Sequence, residues 1–482
     1  MATPVLRATL GVDEQKDMLE HLVLHEVVKE IRKNGRLVPA HAPRPPTIFY
    51  RAMGSVVEVP YHYARSRGLG RWSKDPAVVE AHTAFRRRAV AGLFPGRVFP
   101  SDDDPTAPLS PGAVFKGNLR AYQDPVMEQA REQLSAHGST TLAVYPGFGK
   151  TACGAYLTIE RGKRAVVIAH SEFLLEQWLK TFQDFTTLKI QLWTSKTAKK
   201  PFNPDYDVLL VMDTCVEKIP PPERARIGTL IMDEAHRLCT EARVPLFFEF
   251  AWVSSIVMCT ATPERPDGMH AMLHRCAGEH GILRSNPVEF DLVRVKTPFS
   301  VEMPEGVESA SGSFWTTAQR SLALNPLRNA FIADLVAGKL ADRKVLVLTS
   351  LTDHVKALLL LLGEKEKVAS LYENQNRYDD ARVLVGTLSK ISVGFDPNGA
   401  CRNWDGRPFD ALVLCTSIAS IAPLIQTLGR AFRSQHPVVY YLVDDCGMID
   451  KHWRLASTYA KENHGTVVQF GALDSKYQKT EA

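Results

Sequence analysis

The chain has 482 residues, of which 45% are hydrophobic and 23% charged, with a formal net charge of +5. That length exceeds one ordinary core and points to about three domains, and the composition is that of a globular chain, neither fibrous nor disordered. The mild positive charge permits a nucleic-acid groove without requiring one.

The N-terminal stretch MATPVLRATLGVDEQKD lacks the apolar segment of a signal peptide. No run reaches the ~18 to 20 apolar residues that cross a bilayer. A soluble intracellular protein with no membrane partner is therefore expected. The eight cysteines form no C-x-x-C pair, which argues against structural zinc or a disulfide framework. They read as small buried apolar residues in a reducing compartment.

Residues 1–115 carry many prolines and short apolar runs, and end in the Pro/Asp-rich stretch FPSDDDPTAPLSPG. They read as an N-terminal accessory domain and linker. Within it TIFYRAMGSVVEVPYHYA predicts one or two strands, and AVVEAHTAFRRRAVAGLF a helix. Its run Arg86, Arg87, Arg88 reads as a solvated helix face in preference to part of a basic track. From 116 to 300 short apolar runs (TTLAVY, RAVVIA, DVLLVM, GTLIM, SIVMCTA) alternate with helical stretches. Such runs suit strands covered on both faces, hence a parallel α/β sheet. A Glu/Ser/Gly-rich linker occupies 301–320. A second α/β pattern fills 321–470, with strands KVLVLTS, RVLVGTL, DALVLCT and VVYYLV, and 471–482 is a frayed tail. The expected fold class is α/β, with two parallel-sheet lobes and a small, partly β N-terminal domain.

The strongest local signal is TLAVYPGFGKTACGAYL. An apolar strand runs into Tyr145, Pro146, Gly147, Phe148, Gly149, Lys150 and Thr151, where a helix starts. Glycines let successive backbone N–H groups converge on phosphate oxygens, and the helix N-terminus adds its positive dipole end. Lys150 is expected to reach the β/γ-phosphates of ATP, and the Thr151 hydroxyl to sit on Mg²⁺. The usual pattern has glycine five residues before Gly149, where this chain has Val144. Taken alone, the turn could be an ordinary strand-to-helix loop.

Further along, GTLIMDEAHRL places Asp233, Glu234, Ala235 and His236 at the end of an apolar strand. Mg²⁺ takes carboxylate oxygen, which Asp233 can supply. Glu234 suits orienting and deprotonating an attacking water. By itself the tetrapeptide could equally be a solvated helix start.

The ordered set of motifs over residues 116–445 resembles the superfamily-2 helicases, whose two lobes are RecA-like. LRAYQ, with Arg120 and Gln123, resembles the adenine-reading segment. IAHSEFLLEQW resembles the next motif, with Gln177 and Trp178 in place and His170 where proline is often seen. CTATPERP, with Thr260, Ala261 and Thr262, resembles the motif that couples hydrolysis to lobe movement, and His236 would link the ATP site to the neighbouring lobe. VGTLSKISVGFDP, with Thr387, Gly394 and Asp396, resembles the motif touching both nucleic acid and the ATP site. QTLGRAFRS, with Gln426, Gly429, Arg430 and Arg433, resembles the arginine-finger motif. The wording PGFGKT, DEAHRL, TATPERP and QTLGRAFR is similar to that of the transcript-release DNA helicases of poxviruses and their relatives in other large DNA viruses. NGACRNWDGRPF, residues 398–409, departs from the pattern as an extra loop.

The resemblance implies ATP and Mg²⁺ held at the cleft between two lobes. Gly147, Gly149, Lys150, Thr151, Asp233 and Glu234 come from the first lobe, Arg430 and Arg433 from the second. An arginine supplied across such a cleft is worth about 10³ to 10⁵ in rate. Work on nucleic acid follows, DNA before RNA, alongside transcription or replication proteins, in host cytoplasm, nucleus or virion if the source is viral. Candidate strand contacts are the turn after RAVVIA, Thr214, Thr349–Thr352 and Thr387, which could equally be strand-end hydrogen-bonders. A double-strand translocase that does not separate strands remains compatible with the same motifs. A silent nucleic-acid-binding scaffold would be marked by loss of Lys150, Glu234 or an arginine, and all are present.

Overall fold

The structure is a computed structural model that describes residues 2–28, 30–33, 36–97, 99, 101, 103–301, 314–391, 395, 397–430 and 433–471. The chain forms two compact units, the first comprising 1–144 and 148–284, the second 145–147 and 285–482.

In the first unit a seven-stranded sheet runs in the order Ile190–Trp193, Val208–Met212, Ala165–Ala169, Thr229–Asp233, Ser255–Thr260, Ser139–Val144, Ile282–Arg284. Every pairing is parallel. The strands at 139–144, 165–169, 229–233 and 255–260 are buried at every position, as continuous apolar runs require when helices cover both faces. Register places Asp233 opposite Cys259, Cys259 opposite Leu142 and Thr260 opposite Ala143. Three strand ends therefore open at one edge of the sheet, where parallel α/β folds bind ligands.

The N-terminal region belongs to the same compact unit. Its antiparallel sheet runs Ala2–Leu6, Val56–Pro60, Arg51–Met53. The stretch read as one or two strands contains three short ones, the first at Thr47–Ile48, and ends in helix Tyr61–Ser66. Helix Pro76–Leu93 starts at Asp75, whose carboxylate accepts from Ala77 N, a standard N-cap. The reading of Arg86–Arg88 as a solvated face is corrected for its first member. Arg87 and Arg88 are exposed, but Arg86 is 7% exposed, with its guanidinium 4.2 Å from the centre of the Trp252 ring. Helical spacing turns Arg86 onto the packed side, where a cation–π contact replaces water.

The second unit has its own parallel sheet, ordered Val368–Leu371, Val383–Thr387, Val345–Thr349, Ala411–Leu414, Val438–Asp445, Phe290–Ser300, Gly465–Gln469. Residues 290–300, assigned to the first lobe by pattern alone, pair here. The 398–409 loop is tied to the sheet. Tyr378 N donates to Ala400 O and Arg402 N to Tyr378 O, both at 3.0 Å. Buried Lys344 Nζ lies 2.7 Å from carboxylate oxygens of both Asp380 and Asp405. Among the described residues no helix is long and apolar enough to cross a membrane.

A buried ion pair anchors this second core. Arg328 Nε and Nη2 donate to the two Asp444 carboxylate oxygens at 2.9 Å, and Nη2 also donates to Cys415 O at 2.7 Å. Both side chains are 2% exposed. Removing one partner leaves the other charge uncompensated. Arg328→Ala is therefore expected to cost about 3–5 kcal/mol, measured as a lowered denaturation midpoint for the second unit, with the first unit's transition unmoved.

Candidate active site

The loop after strand Ser139–Val144 turns through Gly147 at φ 91° and Gly149 at φ 98°. Both values lie where side chains are strained. A Cβ on Gly149 would also stand 2.5 Å from Gln123 Nε2, so glycine is required there twice over. Helix Lys150–Arg161 begins at the next residue and points its N-terminal N–H groups at this turn. Lys150 Nζ donates to Val144 O at 3.2 Å. Thr151 is partly buried in the helix's first turn. Pro146 and Phe148 are buried.

Gln123 holds the turn from outside. Its Oε1 accepts from Arg120 N at 2.9 Å, and its Nε2 donates to Phe148 O at 2.8 Å. Tyr122 meets the Phe148 ring edge-on with centroids 5.2 Å apart, and Arg120 Nη1 donates to the Tyr122 hydroxyl at 2.7 Å. The predicted adenine-reading pair is thus joined to the phosphate loop.

Asp233 ends its strand as a buried carboxylate. Oδ2 accepts from Trp178 Nε1 at 2.9 Å and Oδ1 from Glu234 N at 3.0 Å. Burial, reinforced by the negative charge of Glu234, pushes its carboxyl up to about 6. Glu234 sits at φ 45°, a left-handed conformation that costs a non-glycine residue about 1 kcal/mol or more. His236 Nδ1 bonds with Thr260 Oγ1 at 2.8 Å, and Thr260 Oγ1 also accepts from Thr262 N at 3.1 Å. Burial first, then the charges of Arg237, Arg265 and Lys150, lowers His236 to about 4, so its imidazole is neutral near pH 7.

Two adjacent acids, one of them buried, repel each other unless a cation intervenes, and a carboxylate retains lone pairs beyond two hydrogen bonds. The donor set Asp233 and Thr151 thus fits a hard, oxygen-liganded ion such as Mg²⁺.

Other predicted positions are more scattered. Gln177 is partly buried and Thr214 exposed, the latter with its N–H on Asp213 Oδ1 at 2.7 Å. In the second unit Gln426 is buried in helix Ile421–Leu428, and Arg430 Nη1 donates to Phe395 O at 2.9 Å. Arg433 is exposed. Thr387 is buried, 3.2 Å from Ser389 Oγ. Thr349 bonds to His354 Nδ1 at 2.6 Å, a strand-end role. Gly394 and Asp396 lie outside the described residues.

Sequence reasoning named Trp178 and gave it no task. An indole N–H buried on an otherwise apolar helix face needs an acceptor, and that was the available signal. His170, in the place of a frequent proline, bonds through Nε2 with Arg237 Nη1 at 3.1 Å.

The family described as "Type III restriction enzyme, res subunit" matches residues 116–265, the stretch that contains this site. The chain is 23% identical to protein 161L of Invertebrate iridescent virus 6, which bears a helicase name, over 74% of this chain and 84% of that one. The motif order, this family match and this relative make the chain similar to the superfamily-2 helicases. It is 22% identical to transcript termination protein A18 of cowpox virus (strain Brighton Red), over 61% of this chain and 62% of that protein. In fold the helicase is similar to yeast Dbp5 L327V bound to RNA and ADP BeF3, with a TM-score of 0.51 at 16% identity, covering 72% and 89% of the two chains. Its enzyme class is that of ATP-hydrolysing helicases.

The indole bond yields a test. Trp178→Phe keeps an aromatic ring at this fully buried position and removes the donor to Asp233, at the expense of the part of the indole that packs on Gly154. Loss of such an outer partner lowers activity by about 10- to 100-fold. Steady-state ATP hydrolysis, measured well below the unfolding midpoint that the smaller ring lowers, should fall within that range.

Proposed function

We propose that this helicase hydrolyses ATP with Mg²⁺ to travel along nucleic acid, DNA in preference to RNA, in viral transcription, replication or repair. The observation that carries the reading is the buried Asp233 beside Glu234, at the same edge of the sheet as the glycine turn that opens into Lys150 and Thr151, with one strand between them. Thr151 and Asp233 would hold the metal, which would neutralise charge on the phosphates. Lys150 and the turn N–H groups bind the triphosphate. Arg120 and Gln123 face the adenine, and Glu234 orients water. Gln426, Arg430 and Arg433 are assigned to the charge that builds on the γ-phosphoryl oxygens.

His236, bonded to Thr260, is assigned to coupling along with Gln177, Thr214, Thr262 and Thr387. The domain scheme belongs to this reading with the end of the first lobe moved from 300 to 284, because residues 290–300 pair in the second sheet. The preference for DNA rests on motif wording similar to that of the transcript-release helicases of large DNA viruses, and the cowpox relative named for transcript termination supports a place in transcription.

The test is ATP turnover measured alone and with single-stranded DNA, duplex DNA and RNA, with Lys150→Ala as control. Wild-type hydrolysis should rise most with DNA and fall to background in Lys150→Ala. If no nucleic acid stimulates the wild type, the reading fails.

A further inference from the structure

Arg265 lies in the loop between strand Ser255–Thr260 and helix Ala271–Ala277, and its guanidinium joins two pieces of chain. Nε and Nη2 donate to Asp267 Oδ1 and Oδ2 at 2.9 and 2.5 Å, and Nη1 donates to the main-chain oxygen of His236 at 2.8 Å. The carboxylate fixes the fork, and the fork's remaining nitrogen fixes the His236 carbonyl. The loop itself is closed by further bonds. Arg265 N meets His270 Nδ1 at 3.1 Å, and Met269 N donates to Asp267 Oδ1 at 3.1 Å. His236 lies in the 3₁₀ turn Ala235–Leu238 that Glu234 opens in its left-handed conformation, so the loop braces a strained segment.

The N-terminal region grips the same loop from the other side. Val27 N donates to Asp267 O at 2.9 Å. Gly268, at φ +74°, lies so near that a Cβ there would stand 2.7 Å from Val27 Cγ2. Arg275 Nε donates to His21 O at 3.1 Å. Further along, Phe49 is fully buried with its ring edge-on to Phe247 and Phe248, and Arg51 Nη1 donates to Glu249 Oε1 at 3.1 Å. The segment around Val27 is therefore held in place by its flanks, and its seating reaches His236 through Asp267 and Arg265.

We propose that Arg265 is a positioning residue through which the N-terminal segment around Val27 sets the geometry of the Asp233–His236 turn, and so the turnover rate of the helicase. The proposal rests on the assignment of Asp233 and Glu234 to the hydrolytic step. Arg265 makes none of the described contacts to Gln123, Gly149 or Lys150, so the effect falls on turnover and leaves nucleotide affinity alone.

The experiment is steady-state ATP hydrolysis of the full chain, with and without single-stranded DNA, for the wild type, Arg265→Ala, Arg265→Lys and Val27→Pro. Thermal unfolding is measured in parallel. Val27→Pro removes the N–H that Asp267 O accepts and fixes φ at that position, so the unfolding midpoint serves as its control. We expect Arg265→Ala to lower kcat by about 10- to 100-fold, the range for loss of an outer partner, with KM for ATP unchanged. Arg265→Lys recovers part of the rate. Val27→Pro shows a smaller loss of kcat in the same direction, at the wild-type unfolding midpoint.

Wild-type kcat in Val27→Pro overturns the proposal. So does a raised KM with kcat retained in the Arg265 variants, or a rate loss that follows the unfolding midpoint through the whole series. A wild type without nucleic-acid-stimulated turnover overturns the functional reading itself, and this proposal with it.

Discussion

A carboxylate shut away from water, one peptide bond from a second acid, constrains everything around it. Burying an ionised group is costly unless it is paired or hydrogen-bonded. Asp233 meets that demand with the Trp178 indole and the Glu234 N–H, and is still pushed up to about 6. The site therefore favours a cation, and Lys150 and Thr151 stand at the start of the helix that follows strand Ser139–Val144, two places along the sheet. The sheet brings these groups together. Parallel pairing puts all strand C-termini at one edge, and its register aligns Asp233, Cys259 and Leu142.

The architecture was legible because its signals are local and strong. Apolar runs such as TTLAVY and GTLIM suit strands covered on both faces, and both form where the pattern places them. The glycine turn was equally legible, since Gly147 and Gly149 take the positive φ that only glycine adopts freely. Arg86 was misread because a charge run says nothing about which member faces inward. Helical rotation turned Arg86 onto Trp252 and left Arg87 and Arg88 in solvent. Residues 290–300 were placed in the first lobe by a boundary set at 300, with no strand read there. They form a strand that pairs with Val438–Asp445 and Gly465–Gln469, partners that no local pattern names.

Contacts between distant residues were the least legible part. The Arg328–Asp444 pair joins positions 116 residues apart, and no spacing rule links them. Trp178 and Asp233 are 55 apart. Arg265 stood in plain view inside TATPERP, but its bond to the His236 carbonyl depends on how two loops meet. The N-terminal region gave the weakest signal of all. Its short strands and prolines suggested a separate domain, whereas Phe49, Arg51 and Val27 seat it against the first sheet's unit.

The most direct measurement of the central claim is Mn²⁺ binding in the presence of ADP, followed by electron paramagnetic resonance, for the wild type and Asp233→Asn. Mn²⁺ stands in for Mg²⁺ and reports the metal itself, independently of turnover. The account predicts a tightly held, nucleotide-dependent ion in the wild type that is lost in Asp233→Asn, while ADP remains bound. An Asp233→Asn chain that holds Mn²⁺ as tightly as the wild type would contradict it.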